Sequence, residues 1–476
     1  MILTRFAIFI AVVGLVFALA CQAGSSAIDS PAPNSAATKI IEATQAAATE
    51  TTGATKAAPV RSTVAVPTTE PQPTNVGSAA SSPVPRPEVA DSPPPTITPE
   101  PSAVTESCTS SYSGSIISGP SEPARPHDND SVFRSLTVHP TNPDIVALGT
   151  ERNGFLWSYD GGETWTRYRK GLVPKDWGYS EVWDMDFAPS NPQLVMAATL
   201  GSPGPASGSE VAEGLYRSTD GGESWMLMNC GFSTSRSVSV RFDPLNPDVV
   251  VVGLEGGLPS YTGDNRYYEG GIFRTEDGGE NWQKVVVAPD DGRNGYWLLR
   301  VVETSPAEII TFGMNYNDLS ENLGFMRGTD MGSSWELFAP ELRNKFIDNF
   351  DVSADGQSIY VSVRDEYSGW YSKDGGVTWS ESQAVQVNGP IAVSPSDANL
   401  VVFSSFSHLS RSTDGFKTSQ SVLSTPNTIR EIVFSRSHPN MVYAEADGYI
   451  LYRSDDAGLT WRQLINGRDD VLTVQP

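Results

Sequence analysis

Residues 218–225 read STDGGESW: a carboxylate, two glycines, a second carboxylate and a tryptophan within eight positions. A loop of that kind suits a metal ion, a ligand cradle or a tight turn, and its surroundings decide among them. Close variants stand at SYDGGETW 158–165, TEDGGENW 275–282, GTDMGSSW 328–335, SKDGGVTW 372–379 and SDDAGLTW 454–461, with a degraded copy, STDGFKTS, at 412–419. Seven boxes therefore carry seven aspartates, Asp160, Asp220, Asp277, Asp330, Asp374, Asp414 and Asp456, spaced 40 to 60 residues apart. Self-similarity at that period marks a propeller or a solenoid.

The flanks favour the propeller. Before most boxes lies a β-rich run ending in a proline- or asparagine-rich corner, as in SLTVHPTNP, MDFAPSNP and VRFDPLNP. A second β-branched run follows (DIVALGT, DVVVVGL, NLVVFSS), a third leads into the box (GLYRS, GIFRT, YILYRS), and the tryptophan opens a fourth. Four short strands with turn residues between them make one blade, and no repeat shows a helical period. The box is then the hairpin joining the third and fourth strands. Its aspartate accepts backbone N–H groups, its glycines take the positive-φ positions, and its tryptophan packs on the blade. Seven structural hairpins are what a propeller requires; seven evenly spaced metal loops would be an odd design. In STDGFKTS, Phe416 and Ser419 replace the second glycine and the tryptophan, so blade 6 is expected to keep its turn through Asp414 and Gly415 but to pack less well.

These residues resemble the Asp-box, or bacterial neuraminidase repeat, across nearly all of 131–465. That superfamily includes sialidases, xyloglucan-hydrolysing glycosidases, the sortilin luminal domain and photosystem II assembly-factor propellers. The resemblance implies an all-β, seven-bladed propeller of four-stranded antiparallel blades, with the boxes at the periphery, away from the ligand face. It implies an activity only weakly. The C-terminal VLTVQP, 471–476, echoes the first inner strand SLTVHP, 135–140, and leaves either an assisted ring closure or an incomplete eighth blade open; seven is the expectation.

The N-terminal part lies outside this repeat. Arg5, the apolar run Phe6 to Ala20 and the ending Ala18-Leu19-Ala20 read as an export signal, residues 1–20, too short to span a bilayer comfortably. Cys21 would head the mature chain, an arrangement that resembles the lipobox of bacterial lipoproteins, whose thiol is diacylated. Ala18 departs from the leucine usual there, and plain cleavage at the same bond would leave a secreted protein. Residues 21–105 carry the cysteine and then an Ala/Ser/Thr/Pro-rich segment that cannot bury enough apolar surface to order itself. Residues 106–476 form the propeller. The expected setting is thus extracytoplasmic, on a lipid anchor. Cys108 and Cys230 are the remaining cysteines and could bridge in an oxidising compartment.

The chain carries a net charge of −24, and residues 1–105 hold five basic and seven acidic side chains, so −22 belongs to 106–476. A domain this acidic does not bind nucleic acid through phosphates. The four histidines make no ligand-spaced pair, and His139 and His438 share one corner position of their repeats. No cofactor motif is present; HDND 127–130 and PDDGRNG 289–295 would hold calcium only weakly.

A binding face is suggested by uneven loops. Long segments at 200–214, 254–271 and 313–324, with the connections 175–183 and 289–297, fall on blades 2 to 4. They gather Trp177, Tyr179, Trp183, Tyr261, Tyr267, Tyr268, Tyr296, Trp297 and Tyr316 among Asp176, Glu181, Asp184, Asp264, Glu269, Asp290, Asp291 and Asp318, a mixture suited to sugar rings and hydroxyls. The competing reading makes several of the aromatics, above all Trp183 and Trp297 at strand starts, core between blades. Hydrolysis would need two carboxylates about 5 Å or about 6.5–9.5 Å apart, and no spacing selects a pair. Arg134, Arg236, Arg300 and Arg430 lie on or beside inner strands, but the sialidase R-I-P signature is absent. The expectation is a monomer that binds a carbohydrate or a surface protein without catalysis, with a glycosidase and a complex-assembly scaffold as alternatives.

Overall fold

The structure, a computed structural model, describes residues 133–467 apart from 152, 174–178, 180, 201–212, 233–235, 256–269, 287–294 and 316–317. Cys21, Cys108, the N-terminal segment and VLTVQP therefore lie outside the described residues. Cys230 is disulfide-bonded.

Twenty-eight strands form seven sheets, each of four antiparallel strands taken in chain order. The innermost strands, blades 1 to 7, are Phe133–Val138, Glu181–Phe187, Ser237–Phe242, Leu299–Val302, Ile347–Val352, Ile391–Ser394 and Ile429–Phe434. Each packs beside the inner strand of the next blade, and the seventh beside the first, so the ring is closed. The second strands, such as Val146–Thr150, Val250–Leu254 and Val442–Ala446, are buried along their whole length. That explains their unbroken β-branched and small residues, because both faces of a middle strand are covered by neighbouring blades. The apolar clusters sit between blades: Ala147, Phe155 and Trp157 of blade 1 pack with Met185, Phe187 and Trp225 of blade 2.

The box is the turn from third to fourth strand. In STDGGESW the Ser218 hydroxyl donates to Asp220 Oδ1 (2.8 Å) and accepts the Gly222 N–H (2.8 Å). Asp220 also accepts the Ser224 N–H (2.8 Å) and hydroxyl (2.5 Å), and the Trp225 indole donates to Gly222 O (3.0 Å). Gly221 and Gly222 stand at φ of 73° and 99°, where a side chain is disfavoured. Asp160, Asp277, Asp374, Asp414 and Asp456 make the equivalent bonds. The hydroxyls of Thr378 and Thr418 hold the carboxyls of Asp374 and Asp414 down at about 2.

Blade 4 departs from this. Its hairpin is tighter, with Thr329 paired to Ser334 and their hydroxyls 2.6 Å apart, and the Asp330 carboxylate makes none of the box bonds. Blade 6 keeps its turn, with Asp414 accepting from Ser412, Lys417 and Thr418, and its outer strand Gln420–Ser424 has no buried residue, yet the space between blades 5 and 6 is filled. Phe416, at φ 71° and fully buried, inserts its ring between Tyr360 of blade 5 and Phe403 of its own blade, at 4.8 and 5.0 Å.

The box is also a joint between blades. In all seven, the residue after the box aspartate donates its N–H to the strand 1–2 corner of its own blade, from Gly161 to Asp144 O (2.8 Å) round to Ala457 to Asn440 O (2.7 Å). At five of the seven junctions an arginine from the preceding blade caps that residue's carbonyl. These are Arg217 to Gly278, Arg274 to Met331, Arg327 to Gly375, Arg411 to Ala457 and Arg453 to Gly161, at 2.6 to 3.0 Å. Between blades 5 and 6, Lys373 reaches Asn399 instead (3.0 Å). Between blades 1 and 2, Trp157 lies so close to Gly222 that a Cβ there would fall 2.5 Å from the indole.

Among the described residues blades 1 and 7 share no strand, and side chains join them. Besides the Arg453 clasp, Tyr443 donates to Gly161 O (3.1 Å), the Leu136 N–H donates to Glu431 (2.7 Å) and Arg462 pairs with Glu163 (2.6 Å).

One set of urea-unfolding measurements checks these roles. Asp220→Ala is expected to destabilise by about 1–3 kcal/mol, because it strands several donors, whereas Asp330→Ala is expected to stay within about 0.5 kcal/mol of wild type. Phe416→Gly restores the repeat's consensus yet empties a packed site, and is expected to lose about 3 kcal/mol. Equal effects at Asp220 and Asp330 would overturn the distinction.

Candidate functional site

The seven inner strands surround a channel. Its lower end is that of the corners and boxes; its upper end is that of the second-to-third strand turns and the connections between blades. Carboxylates on the inner strands bridge to the next strand round the ring, where neighbouring inner strands share no ladder. Asp184 accepts Val240 N–H (3.0 Å), Asp186 accepts Phe242 N–H (2.9 Å), Asp351 accepts Val393 N–H (2.8 Å) and Glu431 accepts Leu136 N–H (2.7 Å). Arg241 pairs with Asp184 (2.5 Å) and Arg300 with Asp351 (3.0 Å). The lower part encloses a cavity of about 330 Å³. Across its mouth, Arg436 of blade 7 meets Glu303 of blade 4 at 2.9 Å.

Burial raises the carboxyls of Asp186, Asp351 and Glu431, the last to about 8 with the Asp184 charge adding to the effect. Glu445 stands opposite Glu431 in register, 1% exposed, and burial beside that second carboxyl lifts it well above the usual range. Two carboxyls facing each other in this way do not both ionise readily.

The upper mouth has a different chemistry. Trp183 of blade 2 and Trp297 of blade 4 are half-buried and meet edge to face at 5.2 Å, although blade 3 separates their strands. Rings from non-adjacent blades touch only by leaning over the channel, so these tryptophans cap its mouth and are not core between blades. Arg134 of blade 1 lies over the Trp183 ring at 4.9 Å. Its guanidinium reaches Glu151 at 3.0 Å and Glu181 at 3.8 Å, and the buried Trp183 N–H has no partner. An aromatic platform, one cation and two carboxylates thus converge where the channel opens.

Of the residues proposed from sequence, Trp177, Tyr261, Asp264, Tyr267, Tyr268, Glu269 and Tyr316 lie outside the described residues. Tyr179 and Tyr296 are 2% and 0% exposed and belong to the clusters between blades 1 and 2 and between blades 3 and 4. Packing claims both rings, so neither is the surface contact expected of it. Asp184 lies in the channel, held by Arg241 and two backbone N–H groups. The four arginines do not form an anion grip. Arg134, Arg236, Arg300 and Arg430 are each locked on a carboxylate, Glu151, Glu255, Asp351 and Asp447. His139 behaves as a corner residue, its Nδ1 accepting Thr141 and Asn142 N–H groups. Glu181 belongs to the carboxylates that the sequence places on this face and Arg134 to its inner-strand arginines, whereas nothing in the spacing of Glu151 shows that blade 1 brings it to them.

Residues 370–381 match the BNR/Asp-box repeat model. Two curated sequences, both the xyloglucanase Xgh74A of Acetivibrio thermocellus, align at 27% identity over 200 residues and 26% over 255, covering 35% and 48% of this chain. This chain spans only 22% and 28% of their length. The GH74 xyloglucanase of Xanthomonas campestris superposes over 71% of this chain and 55% of its own at 15% identity, TM-score 0.56. YCF48 of Cyanidioschyzon merolae covers 69% and 97% at 17% identity, a looser likeness with a TM-score of 0.47. The chain is a seven-bladed β-propeller that carries Asp-box repeats, and the likeness to the Xanthomonas structure is one of fold.

The channel carboxyls set a pH dependence. Glu431, raised from 4.5 to about 8, is protonated in the folded state and ionised in the unfolded chain between those values. The folded state then binds more protons, so stability falls as pH rises through that window. Asp374 and Asp414, lowered from 3.8 to about 2, contribute stability that is present above 3.8 and lost as pH falls through about 2. The urea midpoint should therefore peak between roughly pH 4 and 5. The double variant Glu431→Gln/Glu445→Gln should flatten the decline on the alkaline side; an unchanged slope would show that the pair does not titrate there.

Proposed function

We propose that this chain is a non-catalytic binding propeller whose ligand, a glycan, lies across the upper mouth of the channel. The observation that carries this is the meeting of Trp183 and Trp297 over the opening, with Arg134, Glu151 and Glu181 beside them. Indole faces accept the C–H faces of pyranose rings, while the guanidinium and carboxylates bond hydroxyls. The name carried by the curated relatives, xyloglucanase, agrees with a polysaccharide ligand.

The channel carboxylates argue against catalysis, since Asp184 and Asp351 are committed to arginines and backbone N–H groups. One observation favours hydrolysis as the second reading: Glu151 and Glu181 approach the same guanidinium and so lie near each other. Export by residues 1–20, anchoring through Cys21 and a monomeric state complete the proposal; the segment after the anchor would hold the domain off an anionic surface that its own charge would repel.

A glycan array and a hydrolysis assay on the full-length chain test it. Binding without turnover is expected, and Trp183→Ala should weaken it by about 2 kcal/mol with folding unchanged. Turnover abolished by Glu151→Gln would establish the hydrolase, and silence on every sugar would point to a protein partner.

A further inference from the structure

The turns between second and third strands of blades 5, 6 and 7 hold aromatic residues in one awkward conformation. Tyr367, Phe406 and Tyr449 have φ of 52°, 56° and 58°, the left-handed region that bulky side chains rarely adopt. Blade 1 places Gly154, at φ 77°, just before its third strand, where blades 5 and 7 place Tyr367 and Tyr449. In blade 7 packing accounts for the tyrosine. Tyr449 is fully buried, with its ring on Phe133 at 5.0 Å across the closing joint.

Tyr367 and Phe406 have no such return. Each is 50% exposed, and their rings face each other across adjacent blades, 5.7 Å apart and inclined at 40°. Their backbones are nonetheless pinned. Phe406 donates to Asn388 O (3.2 Å) and accepts from Ile429 N (3.0 Å), and Tyr367 O accepts Val387 N (3.3 Å). A strained conformation, rigidly held, that displays two aromatics to solvent is the kind of outlier that marks a functional position.

The surroundings select the ligand. Lys345 and Glu366 neutralise each other at 2.6 Å, Arg364 is paired with Asp348, and the Phe406 turn is flanked by Ser405, Ser407 and His408. Exposed Asp365 adds one hydroxyl acceptor. Matched charges give an ionic ligand little to hold, whereas paired rings among hydroxyls suit the apolar face of a sugar. We propose that Tyr367 and Phe406 form a subsite for a neutral pyranose, on blades 5 and 6 and separate from the tryptophans at the channel mouth. It does not depend on what the mouth binds.

The test titrates the full-length chain with cellohexaose, mannohexaose and xylohexaose, following heat and melting temperature. The double variant Tyr367→Gly/Phe406→Gly gives the strained positions the residue they favour. Its melting temperature should hold or rise, while affinity for the best hexaose falls about tenfold or more. Every titration is also run in a Trp183→Ala background, which removes the contribution of the channel mouth, so that the loss reads the blade 5 and 6 subsite alone. The proposal is overturned if, in that background, the double variant binds as the chain with Tyr367 and Phe406 intact, if the double variant melts lower, or if the intact pair binds none of the three sugars.

Discussion

The structure depends on one peptide position repeated seven times: the left-handed residue that follows the aspartate of each box. Its N–H is taken by the corner of its own blade and, at five junctions, its C=O by an arginine of the blade before. A hairpin that only closed itself would leave each blade free to rock against its neighbours. Because the turn is fixed from both sides, the angle between blades is fixed with it, and seven equal wedges close a ring. The left-handed backbone turns both polar groups outward from the hairpin, and glycine is the residue that takes it at least cost.

This joint explains which departures from the repeat are tolerated. Ala457 replaces a first glycine and still bonds Asn440 and Arg411, because both bonds are to backbone. Met331 does the same beside Asp330, whose carboxylate is idle. Backbone contacts are indifferent to side chains, so the aspartate can lose its role in blade 4 while the joint survives. Phe416 shows the opposite case: a larger residue enters the inter-blade space and replaces what the missing tryptophan would have packed.

The period, the four-strand blade and the place of the box were legible in sequence, because each follows from local turn chemistry and short-range alternation. What the sequence of blade 6 did not show is that Phe416 enters the space between blades 5 and 6. Contacts between blades were not legible. Arg217 and Gly278 lie 61 residues apart, and nothing near either residue signals the other. The same limit hid the candidate site. Trp183 and Trp297 each look like the first buried residue of an inner strand, and only closure of the ring brings them together over the channel. Tyr179 and Tyr296 failed for the converse reason: they stand beside long loops in sequence, but their own backbone belongs to the blade joints, and the rings follow the backbone into the core.

Part of the acidity of the composition is architectural. Six box aspartates close turns, Asp184, Asp186, Asp351 and Glu431 stitch inner strands, and Glu255, Asp447 and Asp348 hold arginines. A repeat fold spends its most frequent polar residues on repetition, so abundance of a residue type is a poor guide to function here. The informative side chains are those that no repeat position explains. Trp183 has an N–H without a partner, and Tyr367 and Phe406 keep a strained backbone without packing in return. All three stand at the upper end of the propeller, where turns and connections vary from blade to blade. The corner end is bound by the joint that every blade shares, so a ligand site can evolve on the upper end without disturbing the geometry that closes the ring.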